Sequence, residues 1–179
     1  VNFIKKGWIN RNKILSNGKE YLLTFPCKKI SQNKKICETE VLREPKNFHK
    51  IIKTIDVAYK DAPQYSQVMP LIENVLTPIP KYINNLSIKS IILVSEFLEL
   101  NKIFKSSFNS YGNEYLKKGE RLIDICKKEN RKEYVNPIGG KSLYQKEYFD
   151  SYGIKLSFLK PNLPDYKQFA DLSIPGLSI

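Results

Sequence analysis

The stretch Asn136-Pro137-Ile138-Gly139-Gly140-Lys141-Ser142 is the part of the chain best suited to holding an anion. Two glycines leave backbone N–H groups uncovered, a helix start is predicted to follow, and Lys141 adds positive charge. Together these suit a phosphate or a carboxylate. The Gly-Lys-Ser ending matches a phosphate-binding P-loop, but that motif's first glycine would fall at Val135, so no Walker motif is present. A tight strand-to-helix turn that needs glycine accounts for the same residues. Arginine is the second signal, because its planar fork makes bidentate contacts that lysine cannot. Arg11 lies in Trp8-Ile9-Asn10-Arg11-Asn12, among amides and an indole, and Arg121 lies in Gly119-Glu120-Arg121-Leu122-Ile123-Asp124 at the start of a predicted helix. Each could clasp an anionic ligand, and each also suits a surface ion pair. The candidate ligand-binding set is therefore Arg11, Asn12, Arg121, Asn136, Gly139, Gly140 and Lys141.

Catalytic groups are harder to find. His49 is the single histidine, and it sits beside Phe48 in an amphipathic segment that predicts an exposed or capping role. No Gly-x-Ser-x-Gly is present, and no nucleophile has an evident base nearby. Glu120 and Asp124 share one helix face, but two acids without further ligands do not make a metal site. Cys27, Cys37 and Cys126 are odd in number and show no CxxC spacing, which argues against a disulfide framework or a structural zinc. Scattered thiols fit a reducing cytoplasm, and Cys126 reads as a small core residue. The sequence identifies no general base, no cofactor and no metal.

Several elements must position these residues. Lys13-Ile14-Leu15 and Tyr21–Phe25, joined through Asn17-Gly18, predict a β-hairpin. Pro26 ends it, and Lys28–Lys35 is a polar loop. Phe48, Ile51, Ile52, Ile55 and Tyr59 recur at helical spacing over about residues 46–60. A second helix opens at Pro63 and stops at Thr77-Pro78-Ile79-Pro80, and a third covers roughly Tyr82–Leu98. Beyond these the pattern alternates: strand Lys102–Lys105, helix Gly119–Lys128, strand Glu133–Val135, helix Ser142–Tyr152 and strand Ile154–Leu159. The expected fold is α/β: a hairpin and helical first half followed by a β-α-β-α-β parallel-sheet (Rossmann-like) unit. In such sheets ligands bind beyond the carboxyl ends of the strands, which points to Ser106-Ser107, Asn136–Ser142 and Lys160-Pro161-Asn162. The tail Pro161–Ile179 is expected to wrap the surface.

The chain has 179 residues, enough for one domain with a real core. No apolar run approaches the ~18 residues needed to span a bilayer. The net charge is +12, but lysine far outnumbers the four arginines, and alanine is scarce beside Asn, Ile and Tyr. Lys, Asn, Ile and Tyr share A/T-rich codons, so A/T-rich coding is the expected source of much of that lysine excess. Residues 1–35 hold nine basic side chains against one acid, Glu20, so the excess is concentrated there. Trp8, Tyr21 and Phe25 could stack on bases, yet the scarcity of arginine and the lack of any binding motif argue against a nucleic-acid partner.

Four stretches together resemble the WbqC-like family of bacterial polysaccharide and O-antigen gene clusters. They are Phe3–Asn12, Pro26–Asn33, Glu120–Cys126 and Tyr134–Gly140, with Leu159-Lys160-Pro161 and Tyr166-Lys167-Gln168-Phe169 in support. The matches keep their order across nearly the whole chain. The resemblance implies a cytoplasmic protein and, for some members, a glycyltransferase that decorates an O-antigen sugar. Family members usually begin with a further segment rich in Gln-Pro-Tyr-Phe and Pro-Tyr-Ile-Gly-Tyr, and usually continue past the final Leu-Ser-Ile. Residues 1–179 are thus expected to form one WbqC-like domain cut from something longer.

Two functions follow as expectations. One is aminoacyl transfer, glycyl for example, from an activated donor to a nucleotide- or lipid-linked sugar. The other is non-catalytic binding of a sugar nucleotide or phosphate ligand in polysaccharide assembly. Neither specifies an oligomeric state.

Overall fold

The computed structural model describes residues 1–107, 110–164, 166–168 and 173–177. The chain divides into two compact units: Val1–Ile103 with Asp165–Ile179, and Phe104–Pro164.

The first unit begins with the expected hairpin, β1 (Arg11–Ser16) and β2 (Lys19–Thr24), paired antiparallel from Arg11↔Thr24 to Ser16↔Lys19. Asn17 and Gly18 form its two-residue turn with φ of 52° and 69°. Two positive φ values match the right-handed strand twist, and few residue pairs other than Asn-Gly accept them. Gly18→Ala is expected to cost about 1 kcal/mol, because a Cβ disfavours this region. An unchanged urea midpoint would show that the turn relaxes instead.

Three helices follow: α1 (Pro45–Tyr59), α2 (Tyr65–Leu76) and α3 (Ile83–Phe97). α2 starts two residues after Pro63 because residues 62–65 first close a turn, Tyr65 N–H donating to Ala62 O at 3.0 Å. The apolar stripe of α1 buries Phe48, Ile51, Ile55 and Tyr59 against Ile14, Leu15 and Leu23 of the hairpin, Met69 and Leu76 of α2, and Ile83 and Leu86 of α3. Burial of this kind is the main driving force for folding, at roughly 25 cal/mol per Å² of apolar surface. One polar tie adds direction: the Leu15 N–H donates to the Tyr59 hydroxyl at 2.9 Å, fixing the hairpin against the end of α1. His49 is exposed, as its position beside buried Phe48 predicts. In the tail, Ile174 and Leu177 pack on this core, and the Gln168 amide bonds both the N–H and the carbonyl of Ile174. Residues 165, 169–172 and 178–179 of that tail lie outside the described residues.

The second unit contains α4 (Lys118–Lys128), β3 (Glu133–Pro137), a 3-10 turn (Ile138–Gly140), a short α5 (Lys146–Asp150) and β4 (Lys155–Leu159). β3 and β4 pair in parallel, from Glu133↔Lys155 to Pro137↔Leu159. Ile123, Cys126, Phe149, Ile154 and Leu156 form its core. Cys126 is thus the core residue its setting predicts.

The expected five-element Rossmann-like unit is reduced here to one β-α-β pair preceded by α4. Residues 102–105 form no strand: Ile103 is 85% exposed, and two apolar residues between lysines bury too little to join a sheet. The helix expected over Ser142–Tyr152 shrinks to five residues, because turns occupy residues 141–143 after the 3-10 turn. The structure is therefore a mixed α/β arrangement with an antiparallel hairpin, helices and a two-stranded parallel sheet.

Candidate functional site

The loop after β3 matches the sequence expectation only in part: Gly139 is open, but Gly140 lies under the Asn136 side chain and no helix starts directly after the loop, α5 beginning at Lys146. The loop leaves the carboxyl end of a parallel strand, and Gly139 is exposed with nothing within 4 Å of where a Cβ would stand. Ile138–Gly140 form a single 3-10 turn closed by Lys141 N–H to Ile138 O at 3.0 Å, and Leu143 N–H then bonds Gly140 O at 2.9 Å. The opening amides of such a turn have no acceptor within it. Lys141 is exposed and has no side-chain partner among the described residues.

Gly140 has a different role from Gly139. A Cβ there would stand 1.9 Å from Asn136 Nδ2 and 3.6 Å from the Tyr144 ring. The Asn136 amide therefore lies across the glycine. It accepts from the Tyr134 hydroxyl at 2.9 Å and donates to Pro137 O at 3.1 Å. Asn136, Gly140, Tyr134 and Tyr144 thus form one packed corner.

Tyr144 continues this corner into a cleft of about 440 Å³ whose lining includes Lys117, Lys118, Gly119, Glu120, Leu143, Gln145, Tyr148 and Phe149. Gly119 is buried against the Tyr148 ring, which a side chain there would crowd, an added Cβ standing 3.2 Å from it. Sequence reasoning missed this cleft. The available signal was Tyr144, Tyr148 and Tyr152 at intervals of four, which in a helix-rich segment places aromatic rings along one side.

The two arginines are committed to local structure. Arg11 Nε donates to Gly7 O at 3.0 Å, its Nη2 donates to Lys6 O, and its guanidinium lies 5.8 Å from the centre of the Trp8 ring. It holds the turn before β1 together. Asn12 is exposed, its Oδ1 accepting from the Lys13 N–H at 2.9 Å. Both residues belong to the first unit, whereas Arg121, Asn136, Gly139, Gly140 and Lys141 belong to the second. Within the second unit Arg121 is directed to the segment before α4: Nε donates to Asn113 Oδ1 at 3.1 Å and Nη2 to Ser107 O at 2.7 Å. Ser107 therefore supports Arg121 and does not follow a strand. Of the three proposed base-stacking rings, Phe25 is packed against the first core, 6.2 Å from Phe48.

Arg121 is one member of a polar network that the sequence did not reveal. Asn113 is fully buried and donates to Asp124 Oδ2 at 2.6 Å. Lys128 bridges Asp124 at 2.9 Å and Tyr111 O at 2.7 Å, while the Tyr111 hydroxyl donates to Glu129 at 2.9 Å. Lys105 pairs with the other Glu129 oxygen at 2.5 Å. Hydrogen bonds from Lys128 and then Asn113 hold the Asp124 carboxyl below the usual carboxylate range, and Lys105 and Tyr111 do the same for Glu129. A carboxylate with a lowered folded pKa stabilises above its unfolded value, and that contribution disappears as pH falls through the folded one. The segment before α4 is thus expected to stay anchored at neutrality and release below about pH 4. An NMR titration of the Asn113 side-chain amide checks this; shifts that stay flat down to pH 2 contradict it.

Two of the three thiols are held protonated by burial. Burial pushes Cys27 up to about 11 and raises Cys126 as well, so both remain protonated at neutrality. No group of three or more potential metal ligands occurs among the described residues. No described helix is long and apolar enough to cross a membrane.

Neither the curated proteins nor the solved structures contain a match to this chain. The sequence model of the WbqC-like protein family matches residues 1–179. That match covers the whole chain, every stretch on which the resemblance rests included, and the chain belongs to the WbqC-like protein family.

Proposed function

We propose that this protein transfers an aminoacyl group, glycyl in the first instance, from an activated donor to a sugar in O-antigen or surface-polysaccharide biosynthesis in the cytoplasm. The observation that supports this most directly is the exposed loop at the carboxyl end of β3, where Gly139 is open and Lys141 has no acidic partner among the described residues. Such a loop suits the phosphate of an activated donor. In the transfer, the bond from the acyl carbon to the donor's leaving group breaks, and a bond to the acceptor oxygen or nitrogen forms. The acceptor's proton leaves with the departing group or through solvent. Asn136, Gly139, Gly140 and Lys141 are the residues proposed to hold the donor anion.

The test is to incubate the full-length protein with activated glycine and a nucleotide-linked or lipid-linked amino sugar, then weigh the sugar. A gain of one glycyl residue is expected. No gain across several donors and acceptors argues for the second reading, a binding protein for a sugar nucleotide or phosphate ligand. One observation favours that alternative: Arg11 and Arg121 are both bonded to main-chain carbonyls, which leaves fewer cationic groups for a developing oxyanion.

A further inference from the structure

The cleft beside the loop has a composition that the loop alone lacks. At about 440 Å³ it falls within the roughly 300–1,000 Å³ that small-molecule sites occupy. Its aromatic wall is braced by ring contacts. The Tyr148 ring sits edge-on to Phe149 at 6.1 Å and to Tyr152 at 5.4 Å, and is backed by the Cβ-free surface of Gly119. Tyr148 is nevertheless 37% exposed, so part of the ring remains available to a ligand. Gln145 supplies both a donor and an acceptor, and Glu120 supplies acceptors. Lys117 and Lys118 form no ion pair among the described residues, so both ammonium groups are open to an anion beside Glu120.

We infer that this cleft binds the sugar of a sugar phosphate or nucleotide sugar, with the apolar face of the pyranose against Tyr148 and the phosphate at Lys117 and Lys118. A pyranose has one face of C–H groups and a rim of hydroxyls that both donate and accept. A fixed ring beside an amide and a carboxylate matches both features. A purely apolar ligand would leave Gln145 and Glu120 unused, and a bare anion would not need the aromatic wall. The inference rests on the proposed function only in taking the ligand to be a sugar, and it names the place of the acceptor. Tyr144 lines the cleft and also adjoins Gly140, so a sugar held here lies beside the anion-holding loop.

The experiment is isothermal titration of the full-length protein with three probes: hexose 1-phosphates, UDP-hexoses and inorganic phosphate. The wild-type protein is expected to bind at least one sugar-bearing probe more tightly than inorganic phosphate. Gln145→Ala and Tyr148→Ala are each expected to weaken that binding by up to about tenfold, with little effect on inorganic phosphate. The pair Lys117→Ala and Lys118→Ala should weaken all three probes. If Tyr148→Ala does not fold, the exposed Gln145 and Lys117 substitutions decide the matter. Sugar affinity unchanged in both Gln145→Ala and the double lysine variant overturns the inference, as does equal affinity for inorganic phosphate and the sugars. Glycyl transfer that survives all the cleft substitutions removes the inference and leaves the proposed function. Tight sugar binding lost with Gln145, but without transfer to any acceptor, does the reverse.

Discussion

Phe149→Ala is expected to unfold the Phe104–Pro164 unit while residues 1–103 keep their own core. Phe149 is fully buried and central to the smaller core. Tyr134 stacks on it at 5.8 Å with the rings within 9° of parallel, and Tyr144 and Tyr148 meet it edge-on at 5.9 and 6.1 Å. Truncating a buried phenylalanine costs about 3–5 kcal/mol through lost burial and the cavity left behind. At roughly 0.05–0.15 kcal/mol per residue, a unit of this size has only a few kcal/mol in total. One substitution can therefore remove most of its stability. Two-dimensional NMR should show the amides of α4, β3 and β4 collapsing to unfolded positions while those of α1–α3 stay dispersed. A melting shift of only a degree or two would mean that the four-ring cluster is not what holds this unit together. Phe149→Leu, which keeps most of the volume, should fall between the two.

Gly140→Asp should abolish anion binding at the loop after β3, whereas Gly139→Ala should leave it nearly unchanged. A Cβ at Gly140 meets Asn136 Nδ2 at 1.9 Å, so the Asn136 amide must swing away and lose its bonds to Tyr134 and Pro137. Each neutral hydrogen bond is worth about 1 kcal/mol, so the cost in stability is modest and the unit should remain folded. Binding suffers more, because the corner that shapes the loop is rearranged and a new carboxylate faces the anion. At Gly139 the added methyl meets nothing within 4 Å, and the backbone there is not in the left-handed region. Titration with inorganic phosphate, with both substitutions made in the Lys117→Ala, Lys118→Ala background so that the cleft's own lysines do not contribute, separates the outcomes. Equal loss in both variants would point to general disruption of the turn, and no loss in Gly140→Asp would remove this loop from the site.

The legible parts of the chain were those governed by near neighbours. Asn17-Gly18 declares its hairpin because the φ values the turn needs are a property of two residues, and the fold places both of them in the turn between β1 and β2. Phe48, Ile51, Ile55 and Tyr59 declare α1 because one face of a single helix is enough to bury them. The segment 102–105 misled because a strand needs a partner, and the four residues carry no information about whether one lies alongside. The shortening of the helix expected over 142–152 has a similar origin: its apolar residues serve the aromatic cluster around Phe149, which turns satisfy as well as helix does.

Arg11 and Arg121 show where the site itself ceased to be readable. Residue type told that each could make a bidentate contact, but not which partner it takes: Arg11 is consumed by the Gly7 and Lys6 carbonyls of the irregular turn just before it, and Arg121 by Asn113 and Ser107 where the segment before α4 folds back. From the sequence alone came family membership, the hairpin, the three helices of the first unit and an exposed glycine loop with a lysine. All of these depend on residue identity and short-range spacing. Only the tertiary structure decided that Asn136 lies over Gly140, that Asn113 is buried between Arg121 and Asp124, and that Tyr144 and Tyr148 open a cleft beside the loop. Those are contacts across folded backbone, and their energies depend on burial and approach distances that no local pattern encodes.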